Sequence, residues 1–305
     1  MGASTTRQAD GAAASTKFRF LLTHRRRAQG FLEPLGPEAD GTPSLTMLWM
    51  PPGRFWMGSP DDEPERRSNE GPQHLVQLQG FFLAQTPITQ AQWRQVADWK
   101  PNKGERAWNQ KLNPDPSHFK GDQRPVESVS WEGAIEFCRR LSQRTGRRYT
   151  LPSEAQWEYA CRAGTTTPFY CGSTISTKLA NYNGNSVYGD GEKGEYRQQT
   201  MDVASFPANP WGLHDMHGNV WEWCADHWHG NYEGAPEDGS AWIDEEAKEN
   251  KNSMNRRLLR GGSWDGDPRF CRSAFRSYFH PDNRLNGIGF RVCCLPQDKF
   301  YTLTL

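Results

Sequence analysis

The chain of 305 residues is long enough to bury a large core, and its 36 basic and 36 acidic side chains cancel to a formal charge of zero. That balance, with no basic stripe beyond Arg25-Arg26-Arg27, argues against a nucleic-acid partner, and no run approaches the roughly 18 apolar residues of a membrane span. Mean hydropathy is -0.87, whereas 13 Trp, 29 Gly and 21 Pro are generous, a mix that suits a loop-rich fold held by aromatic packing.

Residues 1–44 are small and polar apart from Phe18-Arg-Phe-Leu-Leu22 and read as a flexible tail ending in an extended segment. Met1 to Thr16 lacks the apolar centre of a secretory signal, and seven cysteines with no Cys-x-x-Cys pair argue against a disulfide framework. A reducing, cytoplasmic setting is the expectation. From Leu45 the chain reads as folded. Thr46 to Gly58 forms two short strands around Pro51-Pro52-Gly53, and His74 to Leu83 one alternating strand. Three short helices follow: Thr89 caps 90–98, Ser130 caps a helix stopped by Gly146, and Ser153 with Gln156 makes a capping box. From Gly164 to Gly212 turn residues dominate, which predicts a long structured loop region, and bound metal is the usual means of ordering one. Residues 231–255 look like an exposed insertion. Arg260-Gly-Gly-Ser-Trp264 and Gly289-Phe-Arg-Val292 read as strands meeting glycine bends, and 297–305 as a second tail.

Three constellations could carry chemistry. Asp215-Met-His-Gly-Asn-Val-Trp-Glu-Trp223 offers two carboxylates, Asp215 and Glu222, around Gly218, and hard oxygens are what calcium takes. The alternative is that Glu222 pairs with an arginine while Asp215 caps a turn. His214, His217, His227 and His229 lie nearby without a His-Glu-x-x-His arrangement. Cys271, flanked by Arg269 and Arg272, is a thiolate if they point toward it and otherwise a buried small hydrophobe. Ser263 follows Gly261-Gly262, but Asp265 stands where a nucleophile elbow needs its second glycine, so a tight bend is the expected role. Asp265, Asp267, Arg269, Phe270, Phe275, Ser277, Tyr278, Phe279, His280, Leu285 and Asn286 mix aromatic, charged and hydrogen-bonding groups on non-helical backbone, as a recognition surface does. Against this, Phe275 and Phe279 could be core residues.

Taken together, Met57-Gly-Ser59, Glu70-Gly-Pro-Gln-His74, Arg124-Pro-Val-Glu-Ser-Val-Ser-Trp131, Leu151-Pro-Ser-Glu-Ala-Gln-Trp-Glu-Tyr-Ala160, Gly212 to Trp223, Arg260 to Trp264 and Gly289 to Val292 resemble, in order and spacing, the formylglycine-generating enzyme family, also called the sulfatase-modifying factor domain. The resemblance covers Leu45 to Cys294. It implies an α+β fold, with a C-type-lectin-like core inside a large loop-rich formylglycine-generating-enzyme-like domain over 45–296, and calcium as a structural ion. Its matched calcium ligands are the side chains of Asp215 and Glu222 with the carbonyls of Gly218 and Val220. A second family site matches Asn181 and Tyr182, its aspartate falling near Glu195.

Family members that oxidise a sulfatase cysteine resemble one another in two copper(I)-binding cysteines five residues apart, soft thiolate ligands just after the Gly-Gly-Ser bend. Here the second falls on Cys271, the first on Gly266, and the neighbouring histidine on Asp267. Copper is therefore doubtful. Some bacterial and phage relatives serve as variable proteins of diversity-generating retroelements, in which adenine mutagenesis scrambles positions between Arg-Gly-Gly-Ser-Trp and Gly-Phe-Arg-Val. From Asp265 to Val292 the chain contains no Lys, Glu, Gln, Met or Trp, as expected of asparagine codons mutated at their adenines. The expectation is a monomeric, calcium-stabilised binding protein without a chemical step, whose 265–286 surface takes a protein or other macromolecule, with neither nucleic acid nor membrane as partner. The alternative is a copper-dependent oxidase converting a sulfatase peptide cysteine to formylglycine, with Cys271 and Ser263 catalytic.

Overall fold

The computed structural model describes residues 28–37, 41–244 and 255–296; Phe18–Leu22, the end of the 231–255 insertion and the tail 297–305 lie outside them. Three sheets, one of them the β3-β4 pair, and three α-helices make a mixed fold with few helices. The larger sheet runs β1-β2-β5-β11-β6, from β1 (Gly30–Pro34), β2 (Ser44–Met50), β5 (Phe81–Ala84), β11 (Cys293–Leu295) and β6 (Arg148–Thr150), every pair antiparallel. The segment read as a tail thus contributes a strand. Composition hides it, because β1 is held by tertiary contacts: Phe31 lies edge-on to Phe82 at 5.0 Å, and buried Glu33 accepts the Tyr149 hydroxyl at 2.7 Å.

The run from His74 to Leu83 is two strands rather than one. β4 (His74–Leu78) pairs with β3 (Gly53–Met57), while β5 crosses to the larger sheet. The break falls at Gly80, where a Cβ would meet the Trp49 ring at 2.2 Å, so only a bare Cα lets the indole pack there.

The helices follow their sequence signals. α1 (Gln90–Ala97) and α3 (Glu154–Arg162) open on capping boxes at Thr89 and Ser153. α2 (Trp131–Thr145) starts where Gly133 N donates to Ser130 and ends at left-handed Gly146. Trp93 of α1 stacks on Phe137 of α2 at 5.7 Å, with Phe290 edge-on to both, and this trio centres one core between the helices and the sheets. No helix among the described residues is long and apolar enough to cross a membrane.

The second sheet, β10-β7-β8-β9, is built from β7 (Trp221–His227), β8 (Arg257–Arg260), β9 (Ser277–Phe279) and β10 (Ile288–Gly289), β10 running parallel to β7. Between Arg162 and Trp221 the described chain has no helix or strand, matching the loop reading. Its order comes from its own small core of Phe169, Ile175, Ala180, Tyr182 and Tyr188, and from Asn181 and Asn219, whose amides bind each other and the backbone at Gln199 and Met201. The insertion read as exposed begins packed: Tyr232 is buried and Gln77 N donates to Glu237 O at 2.8 Å.

Candidate functional site

β8 delivers Arg260 into the core, and the chain then turns through Gly261 and Gly262, at φ 98° and 77°. A Cβ on Gly262 would sit 2.5 Å from the Cys271 sulfur, so the thiol packs directly on the bare Cα. Cys271 is fully buried in the Phe169–Tyr188 core, and burial pushes its thiol far above the ordinary range, with Cys161, Asp267 and Asp265 acting in the same direction. The flanking arginines face elsewhere. Arg272 grips Glu63 at 2.6 Å and Glu70 at 2.7 Å, while Arg269 leans on Asp267 and Glu65 at 3.5 and 3.8 Å. Of the two readings the sequence left open, this geometry takes the second: the arginines do not point toward the sulfur, and Cys271 packs as a buried small hydrophobe.

His217 lies beneath the same turn. Tyr170 N donates to its Nε2 at 3.1 Å, which leaves Nδ1–H to donate to the Cys271 carbonyl at 2.7 Å. Burial lowers its pKa to about 4, so the ring is a neutral strut between two loops. Ser263 is buried, and its hydroxyl donates to Asp265 at 2.5 Å rather than to an imidazole, as a bend residue would.

The recognition set divides by its contacts. Asp265, His280 and Leu285 are exposed, Asp267, Arg269, Phe270, Ser277, Tyr278, Phe279 and Asn286 are half-buried, and Phe275 is buried at 3% exposure. Phe275 therefore leaves the surface: it packs on Phe270 and Trp221 under the Arg67 guanidinium. Asp265, Leu285 and Asn286 gather beside Trp264, whose indole donates to Asn286 O at 3.1 Å and meets Phe119 edge-on at 5.2 Å, with Tyr196 parallel to it at 6.3 Å. Tyr278 lies on β9, packed on Trp228 at 4.4 Å and under Arg256. Phe119, Tyr196, Arg67 and Trp228 come from distant loops, and no sequence signal links them to this surface.

Of the six residues matched to calcium, Glu222 is already occupied. Arg291 forks onto it, Nε to Oε2 at 2.6 Å and Nη2 to Oε1 at 2.7 Å, and the Trp157 indole adds a third bond at 2.8 Å. This is the arginine-paired alternative. Asp215 and Asn181 differ: each keeps a buried side-chain oxygen, Oδ1, without a hydrogen-bond partner. Burial raises the Asp215 pKa to about 6, opposed by its bond from Ala204 N. Each Oδ1 is an orphaned hard oxygen of the kind a cation takes, Asp215 in the first matched site with the carbonyls of Gly218 and Val220 and Asn181 in the second, where Tyr182 turns its hydroxyl to Ile175 O. Among the described residues no three His, Cys, Asp or Glu side chains converge as a metal-holding set.

Residues 35–294 match the family model described as the sulfatase-modifying factor enzyme 1-like domain. Among curated proteins, the chain is 29% identical to serine/threonine-protein kinase pkn1 of Chlamydia caviae, over 93% of this chain but 43% of the kinase. It is 28% identical to the formylglycine-generating enzyme of Mus musculus, over 80% of this chain and 74% of that protein. It is likewise 28% identical to the inactive Cα-formylglycine-generating enzyme 2 of Bos taurus, over 81% and 87%. The chain thus spans less than half of the kinase it matches. Among solved structures, PvdO from Pseudomonas aeruginosa aligns at TM-score 0.66 and 31% identity over 89% of this chain and all of that one. Treponema denticola variable protein 1 shares the fold at TM-score 0.65 and 23% identity, over 89% and 100%.

Proposed function

The chain belongs to the sulfatase-modifying factor enzyme 1-like family, and from that membership we propose that it is a non-catalytic member that binds a protein or other macromolecular ligand through its 265–286 surface. One observation carries the reading: the sole thiol at the matched copper positions, Cys271, is sealed in a small apolar core, and its expected partner is Gly266. A copper(I) pair needs two accessible thiolates. The fold shared with a variable protein, and the lack of Lys, Glu, Gln, Met and Trp from Asp265 to Val292, support a C-type-lectin-like core and a diversified ligand surface. Asp265, His280 and Leu285, exposed around the Trp264 cluster and β9, are the contacts that a ligand meets first.

Calcium, when bound, supplies charge neutralisation and cross-linking of the loop region. Asp215 would hold it with the carbonyls of Gly218 and Val220, Glu222 staying with Arg291, and Asn181 would belong to the second matched site.

Two measurements test the reading. With copper(I) and a Cys-x-Pro-x-Arg peptide, mass spectrometry is expected to find no aldehyde; aldehyde that disappears in Cys271→Ala would establish the oxidase instead. Panning a phage-displayed peptide library on the protein is expected to select binders that Asp265→Ala, His280→Ala and Leu285→Ala release. Binders indifferent to all three would remove the surface assignment.

A further inference from the structure

Beside the start of α2, a cavity of 380 Å³ is lined by Trp93, Leu112, Val129, Lys111, Asn113 and Arg284 among others, with no Asp or Glu in its wall. Backbone bonds from Ser128 N to Leu285 O at 3.0 Å and from Trp131 N to Pro281 O at 2.8 Å pin the 281–285 segment against the start of α2, which fixes one wall, while Lys111, Asn113 and Arg284 stand exposed at the mouth. Its volume lies at the small end of ligand pockets, enough for a single-ring molecule.

Its charge is one-sided. The Arg284 guanidinium is held in place by donating to the Asp282 carbonyl at 2.7 Å and to the Ser130 hydroxyl at 3.3 Å, and it pairs with no carboxylate among the described residues. The acids near it are committed elsewhere. The Asp282 carboxylate takes His280 at 2.6 Å, and Glu127 takes Phe119 N and the Ser128 hydroxyl. Asp115 pairs with Lys120 at 2.9 Å, and Lys111 forms no ion pair among the described residues. The Asn113 side-chain oxygen accepts Asp115 N, which leaves its amide hydrogens as the free donors. Two cations and an amide donor around apolar walls, in a chain of zero net charge, are a complementary set for an anion carried on an apolar body.

We propose that this cavity binds a small organic carboxylate, its charged group on Arg284 and Lys111 and its apolar body against Trp93, Leu112 and Val129. The inference is independent of the 265–286 surface and survives if that reading fails. Gly133 gives a way to test it without touching a charge. It lines the same cavity, and a Cβ there would lie 3.4 Å from Ser130 Oγ, 3.6 Å from Trp93 and 3.9 Å from Leu112, so a larger side chain at 133 enters the space the ligand would occupy.

Benzoate titrated into the full chain, followed by calorimetry, is expected to bind saturably, and benzyl alcohol, the same ring without charge, at least about tenfold more weakly. Arg284→Gln is expected to weaken benzoate by a similar factor, and Gly133→Leu to abolish it, thermal unfolding confirming that both variants fold. Absence of benzoate binding, equal binding of benzyl alcohol, or benzoate binding unchanged in the folded Gly133→Leu variant overturns the proposal.

Discussion

Replacing Arg291 by methionine keeps much of the side chain's volume and removes its charge and its donors. Arg291 is fully buried, and besides its fork onto Glu222 it donates to Ala84 O at 3.1 Å and to His214 O at 2.9 Å. The variant leaves an uncompensated carboxylate in the core, steadied by the Trp157 indole alone, and two carbonyls short of a donor. Breaking a buried pair from one side costs about 3–5 kcal/mol, and at roughly 2–4 °C per kcal/mol for a domain of this size the melting point falls by about 6–20 °C. Urea denaturation gives the free energy directly. Glu222→Gln added to Arg291→Met removes the stranded charge and is expected to recover about half of the loss. The decisive arm is calcium: if Glu222 is bound to arginine and not to metal, millimolar calcium stabilises the parent through Asp215 and leaves the penalty of the single variant unchanged. A loss under about 1 kcal/mol, or calcium restoring Arg291→Met to the parent's stability, would refute the pairing of Glu222 with Arg291 as its permanent state.

Other outcomes follow from the same structure. Asp226 is buried, accepts Glu154 N at 2.7 Å and Trp242 N at 2.8 Å, and is pushed up to about 7 by desolvation and then by the Glu154 charge. Its folded pKa lies above the ordinary 3.8, so the native state holds the extra proton between those values and stability is lost as pH rises from about 4 to about 7; urea midpoints across that range are expected to fall less in Asp226→Asn than in the parent. Gly133→Ala, inside α2 with only ordinary contacts at 3.4 Å and beyond, is expected to raise stability by about 0.5–1 kcal/mol in the same assay. Iodoacetamide on the native protein is expected to label Cys171, which is exposed, and to spare the six buried thiols, Cys271 included, until denaturant is added; rapid native labelling of Cys271 would contradict its sealed position.

Local chemistry made the helices legible. Ser130, Thr89 and Ser153 each announce a start through a hydroxyl that needs only its own next turn, and Gly146 announces a stop. What depends on distant partners was hidden. β1 has the composition of a tail and becomes a strand because Phe82 and Tyr149 wait for it, and the split between β4 and β5 is set by the Trp49 ring across from Gly80. At the candidate surface, Asp265, His280 and Leu285 were read as part of a mixed set on non-helical backbone, and they are exposed. Phe275 was open to two readings, surface or core, because the Arg67 guanidinium and the Trp221 ring that cover it come from distant segments. The Glu222 pairing was visible only as one of two options, because the choice between a metal and Arg291 rests on a residue 69 positions away.

The larger sheet also fixes when the protein can become itself. β11, the last described strand, sits between β5 and β6, and among the described strands β6 touches that sheet only through β11. While the chain is being synthesised, Arg148–Thr150 and Phe81–Ala84 therefore wait, edges open, until Cys293–Leu295 has left the ribosome, so the native sheet closes only once that distant strand has emerged. A nascent chain stalled before residue 293 would expose two strand edges at once, which makes the last dozen described residues a checkpoint for escape from aggregation as much as a piece of the fold.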